Sequence, residues 1–115
     1  MPDAIAYKVL TGQQMAALEA DGRFAGAPID LADGYVHLST AAQLTETVDK
    51  HFAGQDDLHV AAVDLDALGE AVRWETSRGD QLFPHLYGML ELDVVLAYGP
   101  LERETDGSVK LPVAG

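Results

Sequence analysis

Twice in this sequence a strand-like alternation runs directly into a helix start through the same signature, Thr-x-x-Gln. In the first, Ile5, Tyr7 and Val9 recur at every second position, the pattern of a half-buried strand, and Thr11 and Gln14 follow at capping-box spacing. Met15 and Leu18 carry a short helix to a stop near Asp21 and Gly22. In the second, the strand "YVHL" leaves the turn "ADG" and meets Ser39 or Thr40 as cap. Gln43 stands three residues after Thr40, Leu44, Val48 and Phe52 recur every four residues, and Gly54 ends the helix. Strand-to-helix transitions of this kind, repeated in one short chain, predict an α+β fold.

The remaining segments fit that class. "RFAGAPID" reads as irregular, with Phe24 and Ile29 as apolar anchors. "LHVAAVDL" (58–65) and "VRWET" (72–76) read as strands separated by one helical turn in "DALGEA". After the polar loop "SRGDQ" comes "FPHLYG"; "LDVVLAYGPL" then reads as a long, largely buried strand. "RETDGSVKLP" reads as a terminal hairpin around Asp106 and Gly107. No repeat, linker or low-complexity run interrupts the 115 residues, so the expectation is a single domain over residues 1–115. A chain of this length buries somewhat more than ~60% of its unfolded surface, enough for one core without a metal or disulfide.

Charge and cysteine content narrow the function. Seven Lys and Arg stand against nineteen Asp and Glu, a net charge of -12 with no basic run, so no nucleic-acid partner is expected: backbone binding needs clustered cations. One or two arginines and a few backbone amides still suffice for a small anion. Cysteine is absent, which excludes disulfides, thiolate metal sites and thiol catalysis and fits a reducing compartment. "MPDAIAYKVL" has no basic flank before a long apolar run, and no window approaches the ~18 apolar residues of a membrane span, so a cytoplasmic protein without membrane attachment is expected.

Two motifs carry chemistry. In "DGYVHLST" (33–40), alternation puts Tyr35, His37 and Ser39 on one strand face and Val36 and Leu38 on the core face, at the entrance to a helix N-terminus. Alternatively, Ser39 only caps the helix and His37 bonds a backbone carbonyl. In "FPHLYG", Pro84 stiffens the segment and Gly88 permits a turn, holding His85 and Tyr87 beside a polar loop. Alternatively, Phe83, Leu86 and Tyr87 plug the core while His85 faces solvent. Imidazole serves either as donor or as proton shuttle.

Other candidates are weaker. His37, His51, His59 and His85 lack metal-ligand spacing, and no metal is expected. Ser39 lacks the G-x-S-x-G elbow of an acyl-transfer nucleophile. Asp56 and Asp57 read as solvated. Trp74 and Glu75 point to opposite faces of a strand, so only one can face a site; the usual arrangement is Trp74 in the core and Glu75 exposed.

Together "DGYVHLST", the helix "AAQLTETVDKHFAG", "LHVAAVDLDAL", "VRWE" and "FPHLYG" resemble, in order and over nearly the whole chain, the bacterial family catalogued as domain of unknown function 952. The pairing of G-[FY]-[IV]-H-x-S with F-P-H-x-Y-G is the specific part. The resemblance implies an ADP-ribosyltransferase-like α+β domain, with a bent, split pair of small, mostly antiparallel sheets, two main helices and an NAD-binding cleft. By that resemblance His37 would hold a ribose hydroxyl beside Ser39, Tyr87 would stack on nicotinamide, and Glu75 or Glu91 would supply the late carboxylate. Arg23, Arg73 and Arg78 are the arginines available to phosphate.

Two function classes follow. One is an enzyme or degenerate enzyme that binds NAD or another nucleotide-like ligand between Tyr35, His37, Ser39, His85 and Tyr87, with His37, His85 and Glu75 as catalytic candidates for ADP-ribosyl transfer. The other is a non-catalytic binding or protein-interaction domain on the same scaffold. Contact of His37 and His85 in one concavity distinguishes a shared site from two unrelated motifs.

Overall fold

The first strand, β1 (Ile5–Thr11), is buried on both faces, and the rest of the chain is layered around it. The structure is a computed structural model that describes residues 4–76 and 80–112. β1 pairs antiparallel with β4 (Leu58–Asp64), from Ile5 opposite Asp64 to Thr11 opposite Leu58; β4 in turn pairs with β8 (Val95–Pro100), giving the order β1-β4-β8. Strand alternation splits the core in two. Ala6 and Leu10 face one cluster with Met15, Leu18, Ala61 and Val63; Tyr7 and Val9 face the other with Val60, Ala62, Leu44 and Val48. The half-buried strand expected from Ile5, Tyr7 and Val9 is therefore corrected: both faces are covered, one by α3 (Ala41–His51), the other by the side of the core that holds α1 (Gly12–Asp21).

A second sheet has the order β3-β6-β5, built from β3 (Val36–His37), β6 (Leu82–Leu86) and β5 (Val72–Thr76), all antiparallel. A short ribbon pairs β2 (Arg23–Phe24) with β7 (Leu90–Glu91). The segment after β3 joins the two larger sheets. Leu38 N donates to Pro84 O of β6 at 3.1 Å, whereas Ser39 exchanges two backbone bonds with Tyr7 of β1, at 2.7 and 2.9 Å. One chain segment thus changes sheets between adjacent residues.

Both capping boxes form. Thr11 Oγ1 accepts from Gln14 N at 3.1 Å and opens α1 (Gly12–Asp21), which Gly22 closes at φ 76°; Thr40, not Ser39, does the same for α3. The supposedly irregular "RFAGAPID" contains β2 and a further helix, α2 (Pro28–Asp33). Pro28 is pre-set for a first turn, and the Asp30 carboxylate folds back to accept from Ala27 N at 2.7 Å. Ile29 is 56% exposed and is no anchor, while Phe24 packs on the core.

The expected one-turn helix in "DALGEA" is α4 (Leu65–Leu68) with a 3₁₀ turn at Gly69–Ala71. The long buried strand in "LDVVLAYGPL" is corrected to a 3₁₀ turn, Leu92–Val94, followed by β8. As an edge strand β8 alternates half-buried with exposed residues, Leu96 and Tyr98 being 43% exposed each. In the terminal hairpin Arg103 lies opposite Val109 and Glu104 N donates to Ser108 O at 2.8 Å. No described helix is long and apolar enough to cross a membrane.

Leu44 is 1% exposed, whereas Phe52 at the end of α3 is only half-buried. Leu44→Ala is expected to cost about 2–5 kcal/mol. Phe52→Ala is expected to cost less, despite removing the larger side chain; urea denaturation of both variants checks the order.

Candidate functional site

The register of the second sheet assembles most of the site. His37 lies directly opposite His85, and Arg73 lies opposite His85 on the other side, so the three share one face. Alternation adds Tyr35, Tyr87 and Glu75 to that face and sends Val36, Leu86, Val72 and Trp74 to the core. Trp74 therefore packs inward while Glu75 supplies a carboxylate beside His85.

His85 is 2% exposed, which corrects the alternative of a solvent-facing ring. Its Nδ1 lies 2.8 Å from Glu75 Oε1, and the Tyr87 hydroxyl donates to the same oxygen at 2.8 Å. Bonds from His85 and then Tyr87 hold the Glu75 carboxyl below its ordinary range, outweighing desolvation. The same bond raises the Tyr87 phenol above its usual value. An ionised carboxylate only accepts, so Nδ1 carries a proton, and in the neutral form of the ring the lone pair then lies at Nε2. That atom is buried and has no hydrogen-bond partner among the described residues. Tyr35 stacks on the ring with centroids 4.1 Å apart, and the His37 ring stands edge-on at 5.5 Å. Tyr87 lies 5.2 Å from Tyr35, and the Arg73 guanidinium sits 4.7 Å over the Tyr87 ring.

His37 is held from the opposite side by three residues not singled out in the sequence. Asp30 Oδ1 lies 2.6 Å from His37 Nδ1 and accepts from His37 N at 3.1 Å; Asp33 Oδ2 lies 3.0 Å from Nε2. Both ring nitrogens can donate at once only in the imidazolium form. Lys8 Nζ donates to Asp30 Oδ2 at 2.9 Å and to His37 O at 3.1 Å. Asp30 is 1% exposed. Burial opposes its ionisation, but the bonds from His37, Lys8 and Ala27 N prevail and hold its carboxyl far below the ordinary range. Burial pulls the Lys8 ammonium down from its usual value, against the opposing charge of Asp30. A lysine inside the apolar run "AIAYKVL" was the available sequence signal, since such a residue in a buried strand needs a counter-charge.

These groups border a cavity of about 720 Å³ between β1, α2, α3 and the second sheet, whose wall includes Tyr35, His37, Ser39 and His85. Ser39 Oγ is bonded to Thr47 Oγ1 at 2.8 Å rather than capping α3. Tyr87 and Glu75 stand behind the wall, touching it through Tyr35 and His85. Glu91 and Arg23 face each other across the β2–β7 ribbon, outside the wall; Arg78 lies outside the described residues. Among the described residues no three His, Asp or Glu side chains are arranged to hold a metal ion.

The profile of the family described as "Protein of unknown function (DUF952)" matches residues 9–98. The chain belongs to this family. It is similar to protein CC0527 from Caulobacter crescentus, whose crystal structure is 42% identical over 92% of this chain and 93% of that one, with a TM-score of 0.84. The solution NMR structure of CC0527, also 42% identical, covers 93% of this chain and 91% of that one with a TM-score of 0.78. No curated protein matches the chain. These relatives support a small α+β domain with several antiparallel sheets and few helices.

Removing Asp30 strands Lys8 and His37. Asp30→Ala is expected to cost about 3–5 kcal/mol at neutral pH. Because the folded-state pKa of Asp30 is depressed, its stabilisation is complete above the ordinary carboxylate value of 3.8 and is lost as pH falls below it. Urea unfolding of both proteins from pH 7 downwards should show a constant gap that narrows in acid.

Proposed function

We propose that this protein binds a ribose-bearing small molecule, NAD or a related nucleotide-like ligand, in the cavity walled by Tyr35, His37, Ser39 and His85. The observation that carries this is the buried Nε2 of His85, which has no partner among the described residues. A polar atom left without a partner at such depth is costly, and a ligand hydroxyl that displaced the groups covering it and donated to it would remove that cost. Glu75 fixes the tautomer that offers the lone pair, and Tyr35 stacked on the ring fixes its plane. The cavity volume lies within the range of small-molecule sites.

The ADP-ribosyltransferase-like resemblance belongs to the same proposal. Its support here is two small antiparallel sheets joined at Tyr7 and Ser39, with the cavity beside the junction. Binding, rather than transfer of ADP-ribose, is proposed because the nearest glutamate, Glu75, already serves two protein donors through Oε1. Glu75 is then a positioning residue for His85.

Thermal unfolding with NAD, ADP-ribose and nucleosides tests the proposal. A ligand at ~100 times its Kd adds about 2.7 kcal/mol to the folded state and raises Tm. His85→Ala should abolish the rise, and Glu75→Gln should reduce it. If no compound moves the melting curve at millimolar concentration, the cavity is not a ribose site.

A further inference from the structure

We infer that the cavity receives the unphosphorylated part of such a ligand, a neutral or cationic nucleoside, and disfavours phosphate. This rests on the ribose-binding role proposed above and goes further by fixing the chemical class. Among the described cavity-lining residues Lys8 is the one Lys or Arg, and its ammonium is already bonded to Asp30 at 2.9 Å and to His37 O at 3.1 Å, with the side chain 6% exposed. His37 cannot replace it as an anion donor, because its two ring nitrogens face Asp30 and Asp33 at 2.6 and 3.0 Å. With Glu75 at Nδ1, the neutral form of His85 carries its lone pair at Nε2, which suits a hydroxyl or an N–H and not a phosphate oxygen.

The wall also has a half-exposed carboxylate. The side chain of Asp33 is 42% exposed, so an entering phosphate would meet a like charge, and among the described lining residues the one Lys or Arg, Lys8, is already engaged. A phosphate site needs charge-assisted donors that are not already engaged, and none of these cavity groups provides one. Arg73 is the nearby guanidinium, but it is exposed, lies over the Tyr87 ring and does not line the cavity. A pyrophosphate attached to a bound nucleoside would therefore sit outside. A hydroxyl-rich sugar with an uncharged or cationic base matches a wall that has an aromatic side chain at Tyr35 and a half-exposed carboxylate at Asp33.

Paired ligands that differ by one phosphate test this directly. Calorimetric titration of the intact chain at neutral pH would compare nicotinamide riboside with nicotinamide mononucleotide, and adenosine with its 5′-monophosphate. In at least one pair the nucleoside should bind ten-fold or more tighter, and Asp33→Asn should shrink that ratio by strengthening the monophosphate. If in neither pair the nucleoside binds at least ten-fold tighter than its monophosphate, the inference is overturned and ribose binding is left intact. NAD binding without binding of either nucleoside also overturns this inference alone. If no nucleoside, monophosphate or NAD binds, both this inference and the ribose-site proposal fail.

Discussion

The buried carboxylate of Asp30 is the constraint on which the site depends. It joins three parts of the chain: the ammonium of Lys8 on β1, the ring and amide of His37 on β3, and the loop amide of Ala27 that starts α2. Each partner alone would be a buried or half-buried donor without an acceptor. Together they satisfy one another, so a polar cluster stands where an apolar core would otherwise close. The arrangement also fixes α2 against β1, and α2 forms one wall of the cavity.

Around that cluster the two histidines are held by different means. His37 is bracketed by carboxylates at both nitrogens, whereas His85 is oriented at one nitrogen and bare at the other. The first is suited to holding position and the second to meeting something. Both rings sit on the same sheet face because their residues are directly paired, and Tyr35 packs against both.

Much of this was legible in the sequence, for physical reasons that vary by segment. Thr11 with Gln14 and Thr40 with Gln43 are local signals that tertiary packing had no cause to override, and both helices start as read. The face shared by Tyr35, His37 and Ser39 followed from alternation alone. By contrast, α2 was invisible because its cap is supplied by Asp30 at the third helical position rather than by a conventional N-cap side chain, Ala27 having none to offer. β8 was misread because an apolar run cannot tell a central strand from an edge strand; Leu96 and Tyr98 remain outside for want of a fourth strand in that sheet. Lys8 and Asp30 escaped because their meaning lies in each other, 22 residues apart.

The change of sheets between Leu38 and Ser39 bears on how the dimensions of the cavity wall are set. Ladder bonds on both sides of that step tie His37 to β6 and, two residues later, to β1, so the separation of the facing rings is set by main-chain geometry rather than by adjustable rotamers. A side-chain substitution in the cavity wall can alter its chemistry, but the spacing between the paired residues behaves as a fixed gauge. Only a change in chain length around this junction would reset it, and by reversing which residues look inward it would erase the site rather than resize it.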